Sequence, residues 1–215
     1  LNVTLNHIKN IKDRYDFDIK EINMGGGFGV TYTDENRKPY GYFLEPLIER
    51  VKEFYKEENA ELPALVIEPG RSIVAEAGIS LYTVGRIKNI PGIRKYVSVD
   101  GGMTDNIRPA LYQAKYDGVI ANKASCQRND KVTVCGKCCE SGDILMKDIE
   151  MAEPETGDII AIFSTGAYGY SMASNYNRNL IPAVVLVKDG RDELIVRRQT
   201  YENMLSNDIV PDSLK

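Results

Sequence analysis

The sequence predicts two regions in succession: an α/β region that forms the end of a (β/α)8 TIM-like barrel, and a carboxy-terminal all-β domain, a β-sandwich or β-barrel. In the first third of the chain, segments with helical and strand periodicity alternate, which is typical of parallel β/α units. After Arg71 the pattern changes to short β-rich segments separated by turn residues, which indicates an all-β domain. Since a closed barrel needs about eight β/α units, we expect only the end of a barrel here.

The individual elements follow from these periodicities. In the α/β region we predict helices near residues 4–15 and 43–57 and strands at 19–24 and 64–67. In the all-β domain we predict strands at 79–87, 96–99, 131–134, 159–162, 183–188 and 193–198. Lys188-Asp-Gly-Arg predicts a tight hairpin turn, because Asp-Gly suits positive φ. A short helix is expected between Gly70 and Gly78, and the predicted domains are residues 1–74 and 75–215.

Composition and charge limit the classes of function. The formal net charge is −4 and the basic residues form no block, which argues against a nucleic-acid partner. No segment has the roughly 18 to 20 apolar residues that span a bilayer, and the amino terminus lacks a signal-peptide pattern. We therefore expect a cytoplasmic protein without a membrane partner. The first residue is Leu1 and a helical pattern begins at once, so we expect the sequence to start within a longer protein.

Four cysteines lie close together in the sequence, at Cys126, Cys135, Cys138 and Cys139. In a chain without secretory features, reduced thiols are favoured over disulfides. Cys135-Gly-Lys-Cys138 has the spacing of zinc ligands, but the pair is not repeated and the one histidine, His7, lies far upstream. We expect no metal site.

The glycine run Gly25-Gly26-Gly27-Phe28-Gly29 follows an apolar strand, where bare backbone amides can approach a phosphate. A tight turn after a strand explains the run equally well. The spacing fits neither the P-loop motif nor the dinucleotide-binding motif.

A second motif, Glu68-Pro69-Gly70-Arg71, ends the next strand, at the face where β/α barrels place their catalytic residues. Arg71 can bind an anion and Glu68 a protonated nitrogen, although a surface ion pair is an equal alternative.

Three further segments contain groups suited to ligand binding. In the turn-rich stretch 100–112, Arg108 can bind a carboxylate and Tyr112 can donate a hydrogen bond, but a solvated arginine is the commoner explanation. Cys139 and Glu140 place a thiol beside a carboxylate, which could act as a proton donor and as a ligand for an ammonium group, respectively. The alternative is that the cysteine is a small buried residue at the end of a strand. Tyr168 lies in a loop of small residues and either binds phosphate or packs.

The order of these motifs is more specific than any one of them. GGGFG, EPGR, DGGMTDNIRPALY, CCESGD and GAYGYSMASNYN together closely resemble the diaminopimelate decarboxylases, which are fold-type III, alanine-racemase-like pyridoxal-phosphate enzymes. The resemblance runs from about Ile22 to about Arg198. It covers most of the chain.

The resemblance implies a cofactor role for the first two motifs and for Tyr168. Gly25, Gly26 and Gly27 would hold the phosphate of pyridoxal 5'-phosphate. Glu68 would face the pyridine nitrogen and keep the ring an electron sink, with Pro69 and Gly70 beside it. Arg71 would reach the phosphate side and a substrate carboxylate, and Tyr168 would donate a hydrogen bond near both the phosphate and the substrate.

The resemblance also implies how an amino-acid substrate is bound. Arg108 and Tyr112 would bind the distal carboxylate and Glu140 the distal amino group, which suits meso-2,6-diaminopimelate. Cys139 would protonate the substrate carbon after carbon dioxide leaves. Cys139 and Glu140 would serve the site of the neighbouring subunit, so a homodimer with shared active sites is expected. Ornithine and arginine decarboxylases usually have Asp after the cysteine, and carboxynorspermidine decarboxylase is the nearest alternative.

The family's covalent lysine and its ring-stacking histidine lie near the start of the barrel, and no motif around the lysines of this sequence matches that region. The chain alone is therefore expected to be inactive. Two other classes remain open: a non-catalytic dimerisation or binding module, and a zinc-binding domain that uses the cysteine cluster.

Overall fold

A computed structural model describes residues 1–214 of the chain. The chain divides into two compact units, an amino-terminal unit, Leu1–Ile73, and a carboxy-terminal unit that begins at Val74. None of the helices among the described residues is both long enough and apolar enough to cross a membrane.

The amino-terminal unit alternates helices and strands. Its elements are α1 (Asn2–Tyr15), β1 (Glu21–Asn23), α2 (Tyr40–Glu57) and β2 (Ala64–Val66), and a short helix, α3 (Arg71–Val74), follows them. Strands β1 and β2 are parallel, with Ile22 opposite Leu65. The two predicted β/α units are thereby confirmed, although both strands are shorter than predicted and α2 starts three residues earlier.

One apolar cluster holds this unit together. It consists of buried side chains from both long helices and from β1: Leu5, Ile22, Val51, Phe54 and Tyr55. In α2, Val51, Phe54 and Tyr55 recur at helical spacing, and in α1 the partly buried Ile8 lies one turn after Leu5, so each helix turns a single face toward this cluster. Helix α1 ends at Tyr15 and is capped by Asp16, whose φ of 49° turns the chain toward β1.

The carboxy-terminal unit is built on a six-stranded mixed sheet. In chain order its strands are β3 (Ser80–Ile90), β4 (Arg94–Val99), β5 (Gly118–Ile120), β6 (Asp130–Cys135), β7 (Ile144–Met151) and β8 (Ile159–Ile162), with helix α4 (Arg108–Tyr112) between β4 and β5. Their order in the sheet is β5-β8-β3-β4-β6-β7. Within this six-stranded sheet, β4 and β6 pair in parallel, and the other neighbouring strands pair antiparallel.

The two outer strands of this sheet approach each other. A Cβ on Gly118 in β5 would lie 3.1 Å from the Cε atom of Met146 in β7. The all-β prediction is thus confirmed as a nearly closed mixed sheet. Its interior is apolar and includes Val84, Val97, Val132, Val134, Ile160 and Ile162.

Strand β3 joins the two halves of the sheet. Its first residues, from Ser80 to Thr83, pair with β8, and its later residues pair with β4. The register with β4 shifts between Val84 and Ile87, which marks a bulge where the strand bends. A single long strand can therefore serve both halves of a curved sheet.

Two strands of the sheet, β5 and β7, were not predicted. Strand β5 has only three residues and one is glycine, so it has no measurable periodicity. In β7 the alternation is broken at Asp148, where φ is 54°. Arg94 donates to both carboxylate oxygens of Asp148, at 2.7 and 2.9 Å, and this pairing stabilises the irregular strand.

The predicted hairpin near the end of the chain is confirmed as β9 (Val184–Lys188) and β10 (Arg191–Val196). Asp189 and Gly190 have φ of 51° and 73°, the conformation that a two-residue hairpin turn needs. The second strand starts and ends two residues before the predicted range. A helix, α5 (Tyr201–Leu205), follows and is capped by Thr200 and Asn203.

We expect Ile160→Ala to lower the free energy of unfolding of the carboxy-terminal unit by about 2–5 kcal/mol, because it leaves a cavity in the sheet interior. Ile160 is fully buried, whereas Ile93, in the turn between β3 and β4, is 73% exposed. Ile93→Ala is the matched control and should change the stability by less than about 0.5 kcal/mol. Urea denaturation followed by circular dichroism measures both, and equal effects would contradict the placement of the core.

Candidate active site

The glycine loop, Gly25–Gly27, follows β1 and packs against the end of β2. Gly25 and Gly27 have φ of 73° and 90°, a region that favours glycine. A Cβ on Gly26 would lie 2.5 Å from the backbone oxygen of Glu68, whereas a Cβ on Gly25 or Gly27 would meet no atom within 4 Å. The loop is closely packed at Gly26 and open at Gly25 and Gly27, so an anionic group can approach the backbone on the open side.

Glu68 lies beside this loop because β1 and β2 are parallel and their carboxyl ends meet at one edge. The Glu68 backbone N–H donates to the Gly25 oxygen at 2.8 Å. Its side-chain oxygen Oε1 accepts a hydrogen bond from Asn23 Nδ2 at 2.6 Å. The structure thus brings together the first two predicted motifs, although they are some 40 residues apart in the sequence.

Asn23 was not among the predicted site residues. Besides its bond to Glu68, its Oδ1 accepts from the Gly25 N–H at 2.8 Å. This is an Asx-turn, which an asparagine two residues before a glycine favours. The turn could have been found from the sequence, but the bond to Glu68 could not.

Arg71 opens helix α3, and Pro69 and Gly70 connect it to Glu68. The guanidinium carbon lies 5.8 Å from the ring centroid of Tyr32, a cation–π contact within the same unit. Arg71 is held by Tyr32, which was not among the predicted site residues.

Arg108 is the first residue of α4, and its side chain is buried, with 6% exposure. One guanidinium nitrogen donates to the Tyr116 hydroxyl at 2.8 Å. The guanidinium also lies 5.8 Å from the ring centroid of Tyr168. The structure therefore brings two predicted residues together, and the alternative of a solvated arginine is wrong. The predicted turn-rich stretch 100–112 also contains α4, which Pro109 favours near its start.

Tyr168 and Tyr112 differ in how they are held. Tyr168 has φ of 61°, an uncommon conformation for a non-glycine residue, and it follows Gly166, which packs closely against the backbone of Val74. Tyr112 ends α4 and is 61% exposed, so its hydroxyl is accessible.

Asp143 fixes the loop that bears the predicted cysteine and glutamate. Its carboxylate is buried and accepts hydrogen bonds from the backbone N–H of Met103 at 2.6 Å and of Cys138 at 2.8 Å. A Cβ on Gly102 or Gly136 would lie within 2.6 Å of this carboxylate. Asp143 thus ties the loop before Arg108 to the loop before Cys139, a role that the sequence motif did not reveal.

Two neighbouring cysteines have opposite environments. Cys139 is exposed, whereas Cys138 is buried, and Asn179 Nδ2 lies 3.7 Å from the Cys138 sulfur. Burial raises the pKa of the Cys138 thiol, and the negative charge of Asp143 raises it further. Burial likewise raises the pKa of Cys135. The arrangement leaves Cys139 as the accessible thiol of the motif.

Glu140 is exposed and accepts a hydrogen bond from the Tyr176 hydroxyl. This bond raises the pKa of Tyr176, because the phenol is stabilised as a donor to the carboxylate. Tyr176 belongs to the quoted GAYGYSMASNYN motif but had no predicted role. Among the described residues, no group of three or more histidine, cysteine or acidic side chains is arranged to hold a metal ion.

The chain belongs to the pyridoxal-dependent decarboxylases. The family described as "Pyridoxal-dependent decarboxylase, C-terminal sheet domain" matches residues 15–166, which include the glycine loop, Glu68 and the Asp143 loops. The resemblance predicted from the order of the motifs is thereby confirmed.

The similar proteins and solved structures include several diaminopimelate decarboxylases. The chain is 51% identical over 199 residues to a diaminopimelate decarboxylase of Bacillus subtilis, covering 92% of this chain and 45% of the relative. The structure of diaminopimelate decarboxylase from M. jannaschii matches with a TM-score of 0.88 and 36% identity, over 98% of this chain and 48% of that one. The Helicobacter pylori diaminopimelate decarboxylase complexed with L-lysine matches with a TM-score of 0.78 and 31% identity, over 95% and 48% of the two chains. The chain thus spans about half the length of these relatives.

We expect alkylation by iodoacetamide at pH 8 to modify Cys139 and Cys126 before Cys135 and Cys138, because only the first two are exposed. A raised pKa means a smaller thiolate fraction at a given pH, so labelling of Cys138 should increase as the pH rises toward its pKa. Peptide mass spectrometry over time measures each site. In guanidinium chloride all four should react at similar rates, and equally fast labelling of Cys138 in the folded protein would contradict its burial.

Proposed function

We propose that this chain is the carboxy-terminal part of a diaminopimelate decarboxylase, which converts meso-2,6-diaminopimelate to L-lysine and carbon dioxide. The observation that carries the proposal is that the chain holds a buried arginine, Arg108, against Tyr168 and an exposed carboxylate, Glu140, that Tyr176 orients. Arg108 supplies a cation for a carboxylate, and Glu140 supplies an anion for an ammonium group. Such a pair suits a substrate with a second amino-acid end, whereas ornithine and arginine have no second carboxylate.

The amino-terminal unit has groups that fit pyridoxal phosphate. The open side of the glycine loop suits the phosphate, with Arg71 as a nearby cation in the sequence, and Glu68 suits a protonated ring nitrogen. When bound, pyridoxal phosphate withdraws electrons from the substrate α-carbon and so makes loss of carbon dioxide possible. In this proposal Glu68 holds the proton on the ring nitrogen and thereby favours that withdrawal.

The residues of the carboxy-terminal unit bind the substrate and deliver a proton. Arg108 binds the distal carboxylate, and Tyr112 donates a hydrogen bond to it. The ring of Tyr168 packs on the Arg108 guanidinium. The Tyr168 hydroxyl donates a hydrogen bond near the substrate and the cofactor phosphate. Glu140, oriented by Tyr176, binds the distal ammonium group. After carbon dioxide leaves, the Cys139 thiol donates its proton to the α-carbon, and the thiolate regains a proton from water.

We further propose that the amino-terminal unit is the end of a (β/α)8 barrel and that the active enzyme is a cytoplasmic homodimer. The parallel strands with their functional residues at the carboxyl ends support the first part. In the homodimer, Cys139 and Glu140 of one subunit would serve the site of the other.

The proposal is tested with the full-length protein that contains this chain, purified with pyridoxal phosphate. We expect release of carbon dioxide from meso-diaminopimelate and at least about 100-fold slower release from ornithine or arginine, because neither of these has a second carboxylate that the Arg108 guanidinium could bind. The 215-residue chain alone is the control and should neither release carbon dioxide nor retain cofactor after borohydride reduction. Turnover of ornithine in preference to diaminopimelate, or activity of the 215-residue chain, would contradict the proposal.

Cys139→Ala in the full-length protein should lower kcat by about 100-fold or more, because it removes the proton donor. The visible absorbance of the bound cofactor should stay unchanged, since Cys139 lies on an exposed loop and not in the core. Cys126→Ala, at another exposed cysteine, is the matched control and should keep full activity. Loss of the cofactor absorbance in Cys139→Ala would instead indicate a structural cysteine.

A further inference from the structure

We propose that Asn23 is a positioning residue that sets the orientation of Glu68 and links it to the glycine loop. The inference rests on the proposed function, because it assigns Asn23 a task in the same cofactor site. Asn23 ends β1, two residues before Gly25, and lies within the amino-terminal unit together with all the groups that it contacts.

The orientation of the Asn23 amide follows from its partners. An ionised carboxylate only accepts hydrogen bonds, and a backbone N–H only donates them. The nitrogen Nδ2 must therefore face Glu68, at 2.6 Å from Oε1, and Oδ1 must face the Gly25 N–H, at 2.8 Å. Reversing the amide would break both bonds, so one side chain can hold both partners only in this orientation.

The bond to Oε1 determines which oxygen of Glu68 is available to a cofactor. With Asn23 on Oε1, the second oxygen, Oε2, is left to accept a hydrogen bond from a protonated ring nitrogen. A carboxylate held at one oxygen also loses rotational freedom before the cofactor binds. This is the way in which a supporting hydrogen bond orients a functional group.

The same side chain fixes the glycine loop relative to Glu68. The Gly25 backbone oxygen accepts a hydrogen bond from the Glu68 N–H at 2.8 Å, and the backbone of Gly26 lies against the backbone oxygen of Glu68. Asn23 adds a side-chain link between the same two segments. The proposed contact to the cofactor phosphate and the proposed contact to its ring nitrogen are therefore set at a fixed spacing.

A neutral amide can satisfy both partners at this position, because it has one donor group and one acceptor. An aspartate would still accept from the Gly25 N–H, but it has no donor for Glu68 when ionised and would place two negative charges side by side. An alanine would lose both bonds. The two substitutions therefore separate the role toward Glu68 from the role toward the loop.

The test uses Asn23→Asp and Asn23→Ala in the full-length protein with pyridoxal phosphate. Asn23→Asp should lower kcat roughly 10- to 100-fold while KM for diaminopimelate and the cofactor Kd change by less than about threefold, because the loop turn is kept. Asn23→Ala should show the same loss of kcat and, in addition, a cofactor Kd raised about tenfold. Nitrogen-15 NMR of ring-labelled pyridoxal phosphate reports independently on the proton at the ring nitrogen, and its shift should change in both variants.

Asn10→Asp is the matched control, because Asn10 is exposed on α1 and the substitution adds the same charge. It should leave kcat, Kd and the nitrogen-15 shift unchanged. If Asn23→Asp behaves like Asn10→Asp in an enzyme that decarboxylates diaminopimelate, the inference is overturned. If the full-length protein does not act on diaminopimelate but the nitrogen-15 shift still responds to Asn23→Asp and not to Asn10→Asp, the inference stands and the substrate assignment fails.

Discussion

The buried carboxylate of Asp143 determines the arrangement of the carboxy-terminal site. A carboxylate removed from water is costly unless hydrogen bonds compensate, and here two backbone N–H groups from different loops do so. Met103 belongs to the loop that leads into Arg108, and Cys138 directly precedes Cys139. Gly102 and Gly136 leave the space that the carboxylate occupies. One charge therefore links, within one subunit, the residue proposed to bind a carboxylate in its own site and the residues proposed to serve the site of the partner subunit.

The amino-terminal unit reaches a similar result by backbone pairing. Parallel strands place their carboxyl ends at the same edge, so the glycine loop and Glu68 become neighbours without any buried charge. Gly26 then allows the two segments to approach more closely than any side chain would permit. The hydrogen bonds of Asn23 are exposed and add precision to a juxtaposition that the strands already create.

The sequence predicted those features that depend on local patterns. Helices α1 and α2 and most strands are long enough to show periodicity, and Asp189-Gly190 specifies its own turn. Strand β5 is too short for this, and β7 depends on the bond from distant Arg94 to Asp148. Among the site residues, the motifs identified Arg108 but not its burial by Tyr116 and Tyr168, because Tyr116 lies outside the motif and Tyr168 is remote in the chain. Asp143 and Tyr176 lay inside quoted motifs, yet their partners could be known only from the fold.

The contact at Gly166 bears on how the chain tolerates insertion. The Gly166 N–H donates to the Ala75 oxygen at 2.9 Å, and the Thr165 N–H donates to the Gly78 oxygen at 3.0 Å, so the loop that bears Tyr168 is bonded to the first residues of the carboxy-terminal unit. An added residue between Val74 and Gly78 would shift these bonds out of register and displace Tyr168. A joint between two proteins, or a fluorescent reporter, is therefore better placed in the exposed turn at Asp189-Gly190, where the backbone is already reversed and no side chain of the site depends on it.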